Sequence, residues 1–501
     1  MWGPREPRGD PEKHGPKKQC PSSHNQAHFQ PKAPAAVGMA TRPAWAAAFA
    51  PLCIPKQPRQ HRQDGTRPGI DKTRVEVNQD EVGCHRKHTR QHNQRSLARR
   101  EDMAQVHTHA RPGNAVLHTL TLTITLGLVE STPPPRRLLL VGGGHAHMQV
   151  LKDFQRQPPP NCSITLLVDR REAIYSGMVP GFVAGQFEAS QLTFDLQAWT
   201  TALGAKLQLG RAVGFDPSKQ HVELADGNTL PYDLCSWNIG STVAHIDTPG
   251  VTDFALATRP IGAFVADVIP RLQEAITARA DDTLRILVVG GGAAGVELAF
   301  CLQHRARLEG AKKLETTLLF AGPHPLPHSP ASLRRTVQRE AVRRSIRCIS
   351  GERVIAVQHQ YVETASNRQI PIDLCVWATG ASAQLKSGWL PVRPTLQHVE
   401  YDNFFAVGDC AELRYKPQTP KAGVYAVRQG PLLAHNLRAY LAAAKLKQYD
   451  PQNDFLTLLN FGDGTAAGSK WGLAAHGKWL QNWKTRIDLR FMHRFQFRTK
   501  R

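Results

Sequence analysis

Apolar and polar positions change period repeatedly along this chain, and the changes predict its elements. Leu138–Val141 is an unbroken apolar run, Gly142–Gly144 a turn, Met148–Phe154 the start of a helix, and Ser163–Asp169 (SITLLVD) a second buried strand. Unbroken apolar runs alternating with helices predict parallel strands covered on both faces, as in βαβ units. The same phrase returns 148 residues later. Ile286–Val289 is its strand, Gly290–Gly295 its turn, Val296 onward its helix and Thr316–Phe320 its second strand. Further runs close on glycine: Leu374–Gly380 (LCVWATG), Phe405–Ala411 (FAVGDCA) and the weaker Trp237–Ser241 (WNIGS). The expected fold is α/β, with two Rossmann-like dinucleotide-binding domains.

The ends read differently. Residues 1–135 mix Pro, Gln, His, Arg and Gly with no sustained period of 3.6 or 2. Such a stretch cannot bury enough apolar surface to offset ordering, so it is expected to be a disordered basic extension. Within it, Met39–Gln63 has no acid. That segment is either a transit-type sequence, leaving organellar targeting open, or upstream residues without structural meaning. Ala115–Val129 carries Thr at every second place from Thr119 to Thr125 and reads as strand or loop. No run approaches 18 apolar residues, so no membrane-spanning helix is expected. At the far end Trp479, Trp483, Ile487, Phe491 and Phe495 recur every four residues, with Arg486, Arg490, Arg494 and Arg498 each one position earlier in the turn. That pattern fits a helix lying in a membrane interface, or one docked on the body or a second subunit.

Length and charge narrow the picture. A chain of 501 residues predicts two or three domains. Its formal charge of +22 is concentrated at the ends. Residues 1–135 hold 20 Lys/Arg against 11 Asp/Glu, and from Lys470 onward nine basic residues face the single acid Asp488. No recognition motif accompanies the charge, so nucleic acid is excluded as a partner. The nine cysteines include no C-x-x-C or C-x-x-x-x-C pair. That spacing encodes neither a zinc ribbon nor an adjacent redox disulfide, and it suits free thiols in a reducing, cytoplasmic setting. No metal site is expected.

The glycine turns carry the chemistry. Gly290-Gly291-Gly292-Ala293-Ala294-Gly295 satisfies G-x-G-x-x-G between strand and helix. Gly290 permits the turn, Gly292 lets the backbone approach a pyrophosphate and Gly295 lets helix and strand pack closely. The helix N-terminus at Ala293 and Ala294 then offers unpaired N–H groups to phosphate. In the first copy, Gly142-Gly143-Gly144-His145-Ala146-His147, His147 stands where the third glycine belongs. It either turns toward the crevice or packs as a hydrogen-bonded histidine. Asp169 closes the second strand and can accept both ribose hydroxyls of an adenosine, with Arg170 beside it either steering phosphate or solvated. After the second copy the strand ends Leu319-Phe320-Ala321-Gly322 without an acid, which leaves NADH against NADPH unresolved. Asp409 can present its carboxylate to a polyol chain or cap a helix.

With both glycine turns, the Ala378-Thr379-Gly380 phrase and the Gly408-Asp409 phrase in this order, residues 136–450 resemble the pyridine nucleotide–disulfide oxidoreductase superfamily. The resemblance implies FAD on Gly142, Gly143, Gly144, His145, His147, Asp169 and Arg170, with Gly240, Thr379, Gly380, Gly408 and Asp409, and NAD(P)H on Gly290–Gly295. Its disulfide-reducing branch is excluded, since Tyr175-Ser176-Gly177-Met178 stands where a cysteine pair would be. That places Ser176, Gly177 and Met178 beside the cofactor. Gly295-Val296-Glu297-Leu298-Ala299 is similar to type II NADH dehydrogenases, which pass electrons from NAD(P)H through FAD to a quinone. Glu297 inherits their place beside the nicotinamide, against a plain carboxylate in a helix's first turn. In the same enzymes the stretch aligned with Gly423–Gly430 shapes the quinone pocket. Ala426, Gln429 and Gly430 match that stretch, while Val424 and Arg428 replace glutamines. A nearer likeness, carried by the GGGHAH turn, the YSGMVPG segment and Pro420–Gly430 (PKAGVYAVRQG), is to the flavoprotein module ahead of selenide, water dikinase in some bacterial fusions. No dikinase segment follows in this sequence, so selenium chemistry is not expected.

The organisation expected is an FAD-binding domain in two parts (136–249 and 373–450), an inserted NAD(P)H-binding domain (250–372) and a C-terminal basic amphipathic region (451–501). The expected function is electron transfer from NAD(P)H via FAD to a quinone-type acceptor, with Glu297 and Lys421 as proton donors and Gly423 and Val424 at the flavin. The alternatives are a soluble reductase of another acceptor or a non-catalytic FAD-binding module. Expected partners are a small electron acceptor, a membrane surface reached by the last helix, and a second copy of the chain.

Overall fold

The computed structural model describes residues 134–496. The basic extension, the Met39–Gln63 segment and the Ala115–Val129 run, together with Arg498, fall outside the described residues.

Two five-stranded parallel sheets organise the molecule. The chain enters the first through β1 (Arg136–Val141), α1 (His145–Arg156), β2 (Cys162–Val168), β3 (Lys206–Leu209) and β4 (Leu234–Trp237). It crosses into the second through β5 (Ala255–Ala257), α2 (Ile261–Ala278), β6 (Thr283–Val289), α3 (Ala293–Leu308), β7 (Lys313–Phe320), α4 (Ala331–Arg343), β8 (Ile346–Ser350) and β9 (Leu374–Trp377). It then returns to the first sheet with β10 (Phe404–Ala406), followed by α5 (Gly423–Leu441). The strand orders are β10-β4-β1-β2-β3 and β5-β9-β6-β7-β8. Both sheets therefore reverse direction beside their first glycine turn, which is where a doubly wound sheet opens a ligand crevice. Leu138–Val141 and Ile286–Val289 are buried on both faces, as their unbroken apolar runs require.

Each domain also contains a three-stranded antiparallel meander just before its last inner strand: Ala212–Asp216 with His221–Leu224 and Thr229–Pro231, and Val354–Val357 with Tyr361–Thr364 and Gln369–Pro371. The crossings between domains are pinned together, Thr242 and Val243 pairing antiparallel with Ser382 and Ala381. One boundary moves. Leu374–Trp377 hydrogen-bonds to β6, so the second domain extends through Trp377 rather than ending at 372.

The C-terminal region is a structured subdomain rather than a lone amphipathic helix. β11 (Thr457–Asn460), β12 (Ala466–Lys470) and β13 (Leu473–Gly477) form an antiparallel sheet, and α6 (Lys478–His493) follows. The sheet packs on the second domain. There the Arg344 guanidinium lies over the rings of Phe300 and Phe461, donates to Asp463 Oδ2 at 2.6 Å and pairs with Glu340. The helix packs on the first domain. Phe491 stacks on Tyr175 with centroids 4.4 Å apart, and Phe495 meets Phe194 and Trp199 edge-on. Burying two such rings contributes on the order of 2–3 kcal/mol each. The five-residue apolar stripe therefore splits: Phe491 and Phe495 face the protein, while Trp479 and Ile487 are about 40 % exposed.

Candidate functional site

A crevice of about 560 Å³ opens at the carboxyl edge of the first sheet. Its floor is the turn after β1. Gly142 has φ +93°, and a Cβ there would lie 2.5 Å from the Asn238 carbonyl oxygen; at Gly144 one would lie 2.3 Å from Asn238 Oδ1. Only glycine fits this close passage. Asn238, just past β4, organises the turn: its Oδ1 accepts from the backbone N–H of Ala146 and His147, and its Nδ2 donates to the Val407 carbonyl. It thus caps α1 from another strand, a role that neighbouring residues in sequence do not reveal.

His147 does not reach the crevice. It is buried behind the turn, with Nδ1 2.6 Å from the Gly142 carbonyl oxygen and Nε2 2.9 Å from Ser236 Oγ. A carbonyl only accepts, so Nδ1 carries the proton and Nε2 accepts from the serine. Burial lowers its pKa to about 4, and the ring is a neutral brace between α1 and β4. His147 is thus packed and hydrogen-bonded behind the turn and is not among the residues that line the crevice. His145 does line the crevice. Its Nε2 accepts from the Ser176 N–H at 3.4 Å, and burial, opposed by Asp409, lowers its pKa to about 4.

At one end of the crevice stand Asp169 and Arg170, 3.7 Å apart, with Arg170 lying across Gly262 at the start of α2. At the other end stands Asp409. Its carboxylate accepts from Ser241 Oγ at 3.2 Å and sits 3.4 Å from Arg259 Nη1, while Arg259 itself donates to Ser241. Asp409 therefore faces the crevice and makes no side-chain cap. Arg259 and Ser241 escaped sequence reading because the chain brings them there only at its crossing between domains. Gly240 and Gly423 also line the crevice, as do Gly143 and Ser176. Gly408, with φ +70°, lies against Asn238 Nδ2, and its N–H donates to Gln429 Oε1 at 2.6 Å.

Several expected liners stand elsewhere. Met178 is fully buried beneath the wall, the Gly177 carbonyl accepts from Lys484, and Val424 is not among the crevice residues. Thr379 Oγ1 donates to the Ala244 carbonyl at 2.6 Å, and Ala244 N–H donates to the Gly380 carbonyl. Those two residues clamp the domain crossing rather than touch the first crevice.

The second turn has the geometry its sequence predicts. Gly290 has φ +127°, and a Cβ there would meet the Ala378 carbonyl oxygen at 2.2 Å; at Gly295 one would meet the Gly290 carbonyl oxygen at 1.9 Å. Around Gly292 there is open space. Ala293 and Ala294 open α3 with exposed backbone. Glu297, one turn on, is half-buried under the C-terminal sheet, where Oε1 accepts from the Asn460 N–H at 2.8 Å. Burial raises its carboxyl pKa to about 7 against the opposing pull of Lys484 and the Asn460 N–H, with Asp488 adding to the rise.

Lys421 lines a smaller cavity of about 110 Å³ on the far side of Asp409, with Trp389, Tyr425 and Gln429. Its ammonium lies 4.2 Å from the Trp389 ring centroid and donates to the Ala411 carbonyl. Burial lowers its pKa, offset by Cys410, Asp409 and Glu412. The six described cysteines are free thiols, and among the described residues no helix is long and apolar enough to cross a membrane.

Two glycine cradles on two parallel sheets, one with an aspartate at each end of its crevice, define an FAD- and NAD(P)H-dependent oxidoreductase of the two-dinucleotide-fold class. The chain belongs to the pyridine nucleotide-disulphide oxidoreductase family, whose model matches residues 136–430. It is similar to ferroptosis suppressor protein 1 of Taeniopygia guttata, at 26 % identity over 66 % of this chain and 87 % of the relative. It is also similar to the type II NADH:quinone oxidoreductase of Haemophilus influenzae, at 29 % identity over 54 % of this chain and 74 % of the relative. Among solved structures, the sulfide:quinone oxidoreductase of Aquifex aeolicus shares the fold with TM-score 0.61 and 17 % identity, over 72 % of this chain and 91 % of that one.

Proposed function

We propose that the protein passes electrons from NAD(P)H through FAD to a quinone-type acceptor, without a redox disulfide. The observation that carries this reading is the crevice wall at Tyr175-Ser176-Gly177. Ser176 lines the cofactor cavity there with no cysteine on the segment, and relatives whose names include quinone oxidoreductases support the acceptor. When bound between the Gly142–Gly144 turn and Asp409, FAD would supply two-electron transfer between the nicotinamide and the acceptor. The chain's own part is placement. Gly142, Gly144 and Gly292 let backbone approach the phosphates, and Asp169 accepts ribose hydroxyls. Asp409, held by Ser241 and Arg259, orients the polyol. Glu297, with a pKa near neutrality, can hold a proton at the second domain's helix start, and Lys421 can donate one from beside Asp409.

The likeness of the His145-Ala146-His147 turn and of Pro420–Gly430 to the module ahead of selenide, water dikinase supports a shared cofactor site. The outward face of α6, with Ile487 and Trp479 between Arg486, Arg490 and Arg494, supports attachment to an anionic lipid surface, where a quinone resides. Free thiols suit a reducing compartment.

The test is reoxidation. NAD(P)H-reduced protein should be reoxidised by a short-chain quinone at an undiminished rate after its accessible thiols are alkylated. Loss of reoxidation on alkylation contradicts the disulfide-free route, and inertness toward every quinone contradicts the acceptor class.

A further inference from the structure

The last helix carries a cation into the interior between the domains. Lys484 is buried, and its Nζ donates to Asp488 Oδ2 at 2.8 Å and to the Gly177 carbonyl at 2.6 Å. The other carboxylate oxygen of Asp488 accepts from the Tyr175 hydroxyl at 3.2 Å, and the Tyr175 ring stacks on Phe491. From α3, the Glu297 carboxyl lies close enough to Lys484 to interact with its charge. The segment held in this way, Tyr175-Ser176-Gly177, is the wall of the cofactor crevice: Ser176 lines it and contacts His145, which lines it as well.

A buried ammonium is costly unless paired, and apolar residues of similar size usually serve packing at least as well. Here the pair stands one peptide behind Ser176, which lines the crevice together with Asp409 and lies against Gly423. In so dry a setting its charges are weakly screened and act at a distance.

We propose that Lys484 and Asp488 are positioning residues that fix the Tyr175–Gly177 wall and set the charge felt by the flavin ring. This rests on the FAD reading of the crevice. A flavin ring gains negative charge on reduction, and it gains it likewise when sulfite adds its sulfur lone pair to N5. Sulfite affinity therefore reads the local charge without turnover. Removing the lysine leaves Asp488 without its partner, and removing the Asp488 carboxylate leaves Lys484 facing only the more weakly coupled Glu297, so the two variants should act in opposite directions. A merely structural pair would move both the same way.

The experiment uses the full chain with bound FAD and titrates sulfite at pH 7, following loss of the flavin absorbance band, with midpoint potentials measured in parallel. Relative to the unsubstituted protein, K484M should bind sulfite roughly tenfold more weakly and D488N roughly tenfold more tightly. K484R should stay within about twofold of the starting affinity, since the charge is kept. The potentials should fall for K484M and rise for D488N. Shifts of the same sign, or no shift in either variant, overturn the proposal. If K484M does not fold, D488N against K484R decides alone: tightening in D488N only supports it, and equal affinities overturn it. A starting protein that takes up no flavin refutes the FAD reading instead, before any variant is made.

Discussion

At Gly290 and Gly292, two residues apart, an added methyl group would meet opposite surroundings. Gly290 holds φ +127° against the Ala378 carbonyl, while Gly292 faces open space where a phosphate would approach. Gly290→Ala should therefore destabilise the fold by more than about 2 kcal/mol, seen as a lower Tm. Gly292→Val should fold, retain flavin and lose bleaching by NAD(P)H; normal bleaching would remove Gly292 from the nucleotide site. Glu297 gives a second prediction at this scale. Its carboxyl pKa is raised in the folded state to about 7 from an ordinary value near 4.5. Between those values the folded protein keeps a proton that the unfolded chain has released, so the stability Glu297 allows falls as pH rises through the window and stays reduced above it. Glu297→Gln removes the ionisation, and its Tm advantage over the unsubstituted protein should grow from pH 4.5 to pH 8. A constant difference would contradict the raised carboxyl pKa.

Among the elements, the strands and glycine turns were legible because both signals are local: an unbroken apolar run, then a turn only glycine can make. Position 147 was only half legible. A histidine for the third glycine announces a departure, but its direction depends on Ser236, a residue 89 positions away that accommodates the ring. The C-terminal helix shows the same limit. Its four-residue spacing gave the stripe but not the partner, and the half ending at Phe495 found Tyr175, Phe194 and Trp199. The exposed half is where lipid binding must act. Changing Arg486, Arg490 and Arg494 together to glutamine should weaken pelleting with anionic vesicles by about a hundredfold, at about 1 kcal/mol per charge. Flavin content should be unchanged, since these side chains are exposed. Undiminished pelleting would mean that this face does not meet the membrane.

For the whole molecule, the order of the phrases read from sequence was enough to give two nucleotide folds, one inserted in the other. What it could not give was the set of residues that only the crossings bring together: Arg259 and Ser241 on Asp409, Asn238 on α1, and Lys484 behind the Tyr175 wall. Each pairs residues from different domains or distant strands, so no spacing in the chain marks it. These contacts also join the first domain, the second and the C-terminal subdomain around the crevice, and the account depends on their holding two dinucleotides within electron-transfer reach. Anaerobic titration of the FAD-loaded protein with NADH and with NADPH tests this most directly. One or both should bleach the flavin band at about one equivalent per flavin, whereas a flavin that stays oxidised under excess of both would contradict the account.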